Sequence, residues 1–147
     1  MSDDVLDVSR IRLGGTARDR DGAIAEVGAM LVDAGAVTPA YVEAMNAREA
    51  TVSTYMGNLL AIPHGTNEAK DEIVRSAIAI VRYDDQLDWG GEPVRFVVGI
   101  AGRGDEHLGI LSGLALVFSD ESQVERMLAA GSPDAIADIL ADVNDAA

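Results

Sequence analysis

The chain contains no cysteine and is poor in aromatic and basic residues. Its 147 residues include two Phe, three Tyr and one Trp, and 11 Lys and Arg stand against 25 Asp and Glu, so the formal net charge is −14 at pH 7. The absence of cysteine excludes a disulfide framework and thiolate ligation of a metal. The shortage of basic residues argues against nucleic acid and anionic lipid as partners, because both bind to basic patches. A protein partner with a basic surface fits this charge better.

Long apolar runs are absent as well. No stretch approaches the roughly 18 apolar residues that a membrane-spanning helix requires. The N-terminus, Met1-Ser2-Asp3-Asp4, is acidic where a secretory signal peptide would be basic. We therefore expect no insertion into a membrane and a location in the cytoplasm.

The composition that remains is that of a globular protein. Apolar residues make up 48% of the chain and charged residues 24%, which is enough apolar surface to offset the chain entropy lost on folding. A chain of this length corresponds to about one domain and buries roughly two thirds of its unfolded surface. Because no linker, repeat or low-complexity segment divides it, we expect residues 1–147 to form a single domain.

Periodicity and cap signals predict the order strand, two helices, three strands and three helices. Strands are expected at residues 8–13, 59–62, 77–81 and 94–100, and the last two have the nearly continuous apolar character of strands covered on both faces. The expected helices begin after Asp19, at Pro39 with Thr38 as N-cap, near Asp105, after Asp120 and after Ser132. This order predicts an α/β layer protein with a mostly buried sheet.

His64 lies directly after the predicted strand at residues 59–62, between Pro63 and Gly65. Pro63 restricts the backbone and Gly65 permits a close approach, so the imidazole is held at the end of a strand. Ligands and reacting groups collect at the carboxyl ends of strands in open α/β sheets. A plain turn with an exposed imidazole would contain the same residues, and the sequence leaves both interpretations open.

His107 and Arg48 are the other candidates. His107 lies in the first turn of a predicted helix, where unpaired N–H groups and the helix dipole favour an anion such as phosphate and disfavour a protonated imidazole. The alternative there is a partly buried histidine with a structural role. Arg48, at the end of the second predicted helix, either binds phosphate or merely complements the helix C-terminus. Arg103 and Lys70 are weaker candidates.

The sequence lacks the residue patterns of several common types of active site. The two histidines form neither a His-x₃-His nor a His-Glu-x-x-His pair, so metal binding is poorly supported and we expect no metal or other cofactor. No Gly-x-Ser-x-Gly elbow is present, and no Gly-Lys-Ser/Thr sequence follows Gly99, Gly102 and Gly104. The chemistry that remains is nucleophilic catalysis by a neutral imidazole that attacks phosphorus.

A long signature surrounds His64. It comprises Glu49, Met56-Gly57-Asn58-Leu59-Leu60-Ala61-Ile62-Pro63-His64-Gly65 and Thr66-x-Glu68-Ala69-Lys70-Asp71, with a second block of Gly99-Ile100-Ala101, Arg103 and Glu106-His107. The signature resembles that of the fructose/mannitol-type enzyme IIA of the bacterial phosphoenolpyruvate-dependent sugar phosphotransferase system. The second block resembles the mannitol branch, and the similarity extends from about residue 13 to residue 140.

The resemblance implies a fold and a reaction. The fold is an α/β domain with a mixed, mostly buried sheet of about five strands and helices on both faces. In the reaction, His64 accepts a phosphoryl group from the phosphocarrier protein HPr and passes it to the IIB domain of a mannitol transporter, which makes the protein a phosphotransferase component. Arg48 would stabilise the phosphoryl charge, and His107 would support the phosphoryl group as the second histidine.

The resemblance also implies the surroundings of the nucleophile. Gly65 and Thr66 follow His64 in the signature and are expected near the phosphoryl group. Asn58 stands where the mannitol enzymes have a glutamate near the phosphorylated histidine. Whether an acidic residue tunes His64 in this chain is therefore an open question.

Two other functions fit the same residues. One is a regulatory, nitrogen-type IIA protein whose phosphorylation state controls other proteins, and the His107 block argues against it. The other is an interaction domain that has the fold but transfers no phosphoryl group. With His64 as the site, the net charge predicts a negatively charged collar for a basic surface of HPr, within which the few positive groups gather phosphate locally.

Overall fold

The computed structural model describes residues 5–141 and Val143. Its helices α1 to α5 span Arg20–Asp33, Pro39–Thr51, Glu106–Phe118, Glu121–Ala129 and Pro133–Ile139. Its strands β1 to β5 span Ile11–Leu13, Tyr55–Gly57, Leu60–Ala61, Ala77–Trp89 and Glu92–Ala101. Short 3₁₀ helices occupy Val8–Arg10 and Asn67–Glu72. None of the helices in the described ranges is long and apolar enough to cross a membrane.

The five strands form one mixed sheet in the order β1-β4-β5-β3-β2. Strands β4 and β5 make an antiparallel hairpin at the centre, β1 lies parallel to β4, and β3 lies parallel to β5. The short strand β2 pairs with β3 in the antiparallel direction at one edge. This arrangement confirms the mixed α/β fold that the resemblance implied.

Helices cover both faces of the sheet because successive side chains of β4 point to opposite sides. Ala79 and Val81 pack with the apolar side chains of α1 and α2. Ile78 and Ile80 pack with those of α3, α4 and α5 on the other face. All four of these β4 side chains are fully buried, which explains why the strand has a nearly continuous apolar sequence.

The predicted helix starts are confirmed, with one difference in how the ends are capped. Asp19 accepts a hydrogen bond from the Gly22 N–H at 2.7 Å, as an N-cap residue does. Asp120 and Ser132 cap α4 and α5 in the same way. Thr38 occupies the N-cap position of α2 but makes no side-chain cap, because its hydroxyl donates to the carboxylate of Glu72 instead.

The predicted strands differ from the structure in three places. Residues 8–10 form a 3₁₀ turn, in which the Asp7 side chain accepts from the Ser9 N–H, and β1 begins only at Ile11. Strand β4 continues to Trp89, well beyond residue 81, because residues 87–89 pair again with β5 after a register shift between Arg82 and Leu87, where the exposed polar residues 84–86 lie. Strand β2 was not predicted, since three half-exposed or exposed residues carry no apolar pattern.

Candidate active site

A cleft of about 490 Å³ opens at the edge of the sheet where the parallel strands β3 and β5 end. Segments that follow these two strands line it together with the end of α2, the 3₁₀ helix Asn67–Glu72 and the start of α3. The lining residues are Tyr41, Arg48, Thr51, His64, Gly65, Thr66, Glu68, Lys70, Ile73, Gly102, Gly104, His107 and Leu108. The cleft therefore brings together five of the six residues expected at the site from the sequence.

His64 extends the direction of β3 beside β5. Its backbone forms an isolated parallel bridge with Ile100, whose N–H donates to the Pro63 carbonyl at 2.9 Å. The Nδ1 atom of the imidazole lies 2.8 Å from the carbonyl oxygen of Ile62. Because a carbonyl oxygen only accepts, this contact requires the proton on Nδ1 and leaves the lone pair on Nε2.

The surroundings of His64 favour the neutral imidazole. The ring is half-buried, and this burial lowers its pKa below the ordinary value of 6.5. The hydrogen bond to Ile62 acts in the opposite direction, the positive charge of Arg48 lowers the pKa further, and the negative charge of Glu49 raises it. The net effect is a lowered pKa, so the neutral form of the ring predominates at pH 7, and a neutral imidazole is the form that can attack phosphorus.

His107 is the second residue of α3 and faces His64 across the cleft. The centroids of the two rings are 5.3 Å apart and their planes are inclined at 58°. Burial lowers the pKa of His107, and the charges of His64 and Lys70 lower it as well. The two histidines, which are distant in the chain, thus place two neutral rings next to each other in the cleft.

Arg48 lies in the last turn of α2, and its guanidinium donates to the Val52 carbonyl at 2.7 Å. This bond satisfies a carbonyl at the helix end, as the structural alternative for Arg48 required. Arg48 also lines the cleft, and so does Lys70, which the sequence ranked as a weaker candidate. Among the lining residues, two cations stand against the single carboxylate of Glu68, so the cleft is locally basic in an acidic chain.

Tyr41 holds the chain just after His64. Its hydroxyl donates to the Ile100 carbonyl at 2.7 Å and accepts from the Gly65 N–H at 2.9 Å. A Cβ at position 65 would lie 2.5 Å from the Tyr41 ring, so only glycine fits there without a shift. Thr66 precedes the 3₁₀ helix Asn67–Glu72 and makes no side-chain cap with it. Tyr41 was not identified as a site residue from the sequence, because its regular helical spacing indicated only a core position.

Asn58 is not among the residues that line the cleft. Its side-chain amide donates to the Phe118 carbonyl at the end of α3, at 2.7 Å, and its backbone adopts a positive φ of 50°. The acidic residue whose charge acts on His64 is instead Glu49, which is only 5% exposed. The signature around His64 includes Glu49, which placed it near the site, but the sequence alone assigned it no role.

The described residues, 5–141 and Val143, contain no group of three or more His, Asp or Glu side chains placed to hold a metal ion. The groups that converge on the cleft are two neutral imidazoles and two cationic side chains. This set suits a nucleophilic attack on a phosphoryl group, because the cations and ring N–H groups can stabilise its oxygens.

Comparison with known proteins gives consistent matches over nearly the whole chain. Residues 4–143 match the family model described as "Phosphoenolpyruvate-dependent sugar phosphotransferase system, EIIA 2". A mannitol-specific phosphotransferase enzyme IIA component from Halalkalibacterium halodurans is 46% identical over 99% of this chain and 100% of its own length. A mannitol-specific enzyme IIA component from Staphylococcus aureus is 45% identical over 91% of this chain and 93% of its own.

Two solved structures resemble the fold closely. The crystal structure of IIA mannitol from Escherichia coli has a TM-score of 0.85 and 37% identity, over 92% of this chain and 98% of that chain. The structure of enzyme IIA mannitol in complex with phosphorylated enzyme IIB mannitol, also from Escherichia coli, has a TM-score of 0.87 and 37% identity. That match covers 92% of this chain and 96% of the other.

Proposed function

The chain belongs to the EIIA 2 family of the phosphoenolpyruvate-dependent sugar phosphotransferase system, and from this premise we propose that His64 carries a phosphoryl group from HPr to the IIB domain of a mannitol transporter. The observation that carries the assignment is the half-buried imidazole of His64, bound through Nδ1 and facing a locally basic cleft. The family membership confirms the resemblance drawn from the signature around this residue.

In the proposed reaction, the Nε2 lone pair of His64 attacks the phosphorus of phosphorylated HPr. A new P–N bond forms as the P–N bond of the donor breaks, and the donor's ring nitrogen keeps the electron pair of that bond. The ring of His64 gains positive charge, which the hydrogen bond from Nδ1–H to the Ile62 carbonyl disperses. Attack on the phosphorus by the acceptor side chain of the IIB domain then breaks the P–N bond to His64, whose Nε2 keeps the electron pair, and the imidazole becomes neutral again.

Three other groups stabilise the transferring phosphoryl group in this proposal. Arg48 and Lys70 supply positive charge from opposite elements of the cleft. Neutral His107 donates its ring N–H to a phosphoryl oxygen, which its distance of 5.3 Å from His64, centroid to centroid, permits. Phosphoryl transfer passes through a loose, highly charged transition state, so positioning and charge compensation supply most of the catalysis.

The substrate branch and the acceptor follow from the relatives. Homologues at 45% and 46% identity are named mannitol-specific enzyme IIA components. A structure similar to this chain is a complex with phosphorylated IIB of the mannitol system. We extend both properties to this protein and place the reaction in the cytoplasm. A cell fractionation that finds the chain outside the cytoplasm would refute the location alone.

The test is a reconstituted transfer with phosphoenolpyruvate, enzyme I and HPr. We expect wild-type protein to acquire acid-labile phosphate and to lose it when the mannitol IIB domain is added. Replacement of His64 by Ala should abolish labelling, whereas Gly131→Ala, at an open surface position, should label normally. Undiminished labelling of the His64→Ala variant would refute the site, and discharge only to other IIB domains would refute mannitol. Labelling with discharge to no IIB domain would instead support a regulatory protein.

Replacement of His107 by Ala tests the second histidine. We expect phosphorylation to persist but transfer to slow by about 10²-fold, because one donor to the transition state is lost. Rapid-quench kinetics measure this rate. A rate equal to that of the wild type would make His107 a purely structural residue.

A further inference from the structure

A buried carboxylate lies behind the cleft. Glu49 follows Arg48 on α2 and is 5% exposed. It accepts three hydrogen bonds: from the Thr54 N–H at 2.7 Å, from the Thr54 hydroxyl at 2.5 Å and from the indole N–H of Trp89 at 3.3 Å. A carboxylate at such depth is costly unless it is well bonded, so this arrangement holds Thr54 firmly against α2.

The hydrogen bonds continue from Thr54 to the nucleophile. The Thr54 carbonyl accepts from the Ile62 N–H at 3.1 Å. The Ile62 carbonyl in turn accepts from Nδ1 of His64 at 2.8 Å. Thr54 and Ile62 are 5% and 6% exposed, so water does not compete for these bonds. Glu49 is thus joined to His64 through two buried backbone segments.

We propose that Glu49 is a positioning residue that holds Thr54 and Ile62 so that the Ile62 carbonyl keeps the His64 proton on Nδ1 and leaves Nε2 free to react. The inference rests on the proposed function of His64. The same device orients the ligating histidines of metal sites, where a bonded second nitrogen fixes the tautomer of the ring.

Glu49 also acts on His64 through its negative charge. The charged and titratable groups near the ring are Arg48 and Glu49 on α2, Glu68 and Lys70 on the 3₁₀ helix Asn67–Glu72, and His107 on α3. Arg48 lowers the pKa of His64, and Glu49 raises it. The ring gains positive charge on phosphorylation, and the buried Glu49 anion stabilises that charge on the ring, whereas Arg48 and Lys70 balance the negative charge of the phosphoryl group.

Two substitutions of Glu49 separate positioning from plain structural support. Glu49→Ala removes every bond to Thr54 and Trp89. Glu49→Gln keeps the shape: its amide oxygen still accepts from the Thr54 N–H, and its NH₂ group donates to the Thr54 hydroxyl. The matched control is Glu26→Gln, because Glu26 is another carboxylate with a largely buried side chain, and its partners Tyr83, Arg12, Thr16 and Ala17 all lie outside the cleft.

The measurement is the tautomer of His64, read from ring nitrogen chemical shifts in ¹⁵N-labelled, unphosphorylated protein at pH 8. We expect the ratio of the Nδ1–H to the Nε2–H form to fall about fivefold in Glu49→Ala, the equivalent of one ordinary hydrogen bond. In Glu49→Gln the ratio should stay within about twofold of the wild type, and in Glu26→Gln it should not change. Transfer from HPr should follow the tautomer ratio.

An unchanged ratio in folded Glu49→Ala overturns the proposal, and so does an equal fall in Glu26→Gln. If Glu49→Ala does not fold, Thr54→Val decides, because it removes only the hydroxyl bond to Glu49. We expect a fall of about twofold in that variant, and no change would overturn the proposal. The tautomer is measured without a phosphoryl donor. Failure of the protein to become phosphorylated would therefore refute the proposed function and leave the positioning result intact.

Discussion

Two regions of the molecule are built around a buried carboxylate in closely similar ways. In the α1 region (residues 14–33), Glu26 accepts from the N–H groups of Thr16 and Ala17, each at 3.2 Å, and from the Tyr83 hydroxyl at 2.6 Å. In the α2 region (residues 39–65), Glu49 accepts from a backbone N–H, a threonine hydroxyl and an aromatic donor of β4. Each carboxylate ties a loop to its helix and to the central strand.

The regions differ in what neutralises the carboxylate. Arg12 pairs with Glu26 at 2.9 Å. Burial opposes ionisation of Glu26, but its hydrogen bonds outweigh burial and lower its pKa from 4.5 to about 2. Between residues 5 and 141, the structure shows no ion pair for Glu49, whose charge acts on His64 instead. An arginine therefore neutralises Glu26, whereas the charge of Glu49 acts on the ring of His64.

The largest expected effect comes from the glycines that both regions place against a tyrosine ring. A Cβ at Gly15 would lie 2.5 Å from the Tyr83 ring, and one at Gly65 would lie 2.5 Å from the Tyr41 ring. We expect Gly15→Ala and Gly65→Ala each to lower the free energy of unfolding by about 3 kcal/mol, measured in urea. Only Gly65→Ala should slow transfer from HPr, because only that ring holds the chain beside His64.

The control for these variants is Gly131→Ala, since nothing lies within 4 Å of a Cβ at Gly131. Its stability and its transfer rate should match those of the wild type. If Gly15→Ala slowed transfer as much as Gly65→Ala, the difference between the regions would be refuted, because both regions would then act on the site.

The next effect is the pH dependence of stability that Glu26 confers. Its folded pKa of about 2 lies below the ordinary 4.5, so its ionised form stabilises the fold above pH 4.5 and that contribution is lost as the pH falls from 4.5 to 2. Glu26→Gln should lower the free energy of unfolding by about 2 kcal/mol at pH 7. Urea titrations at pH 7, 4.5 and 3 should show a weaker dependence in the variant, and an unchanged pH profile would contradict this account.

A smaller effect is expected when the tyrosine hydroxyl that contacts each region is removed. The hydroxyl of Tyr83 contacts the α1 region, and that of Tyr41 contacts the chain after His64 in the α2 region. Tyr41→Phe leaves the Gly65 N–H and the Ile100 carbonyl without their partner, and Tyr83→Phe removes one donor to Glu26. Each should cost about 1 kcal/mol in thermal or urea unfolding. Tyr41→Phe should also slow transfer, whereas Tyr83→Phe should raise the pKa of Glu26 and leave transfer unchanged. Slower transfer in Tyr83→Phe together with unchanged transfer in Tyr41→Phe would show that the α1 region, and not the α2 region, acts on the site.

The smallest effects concern two arginines, Arg48 of the α2 region and Arg12 of β1, which pairs with Glu26. Arg48→Ala should raise the pKa of His64, because the positive charge of Arg48 now lowers it. Arg12→Ala should raise the pKa of Glu26 through the loss of one donor. Each change should be less than about one pH unit in NMR titrations of the unphosphorylated protein. A pKa of His64 that falls in Arg48→Ala would contradict the sign of this interaction.

Local sequence patterns predicted most elements of the fold but not their full lengths. Asp19 and Ser132 mark helix starts because a cap is formed by residues three positions apart. The second half of β4 was not predicted because its exposed polar residues, 84–86, interrupt the apolar pattern, and the pairing of residues 87–89 with β5 lies outside any local window. Thr38 was correctly placed at a helix start, yet its hydroxyl bonds Glu72, a distant residue that the pattern does not reveal.

The sequence by itself determined where the helices and most of the strands begin, the place of His64 after a buried strand and the family to which the chain belongs. These properties depend on side-chain period, caps and a signature contained in short segments of chain. Only the tertiary structure decided that His107 lies across from His64, that Asn58 turns away from the cleft and that the charge of Glu49 acts on His64 instead. Such contacts depend on strand order and register, because these set which distant side chains meet at one edge of the sheet.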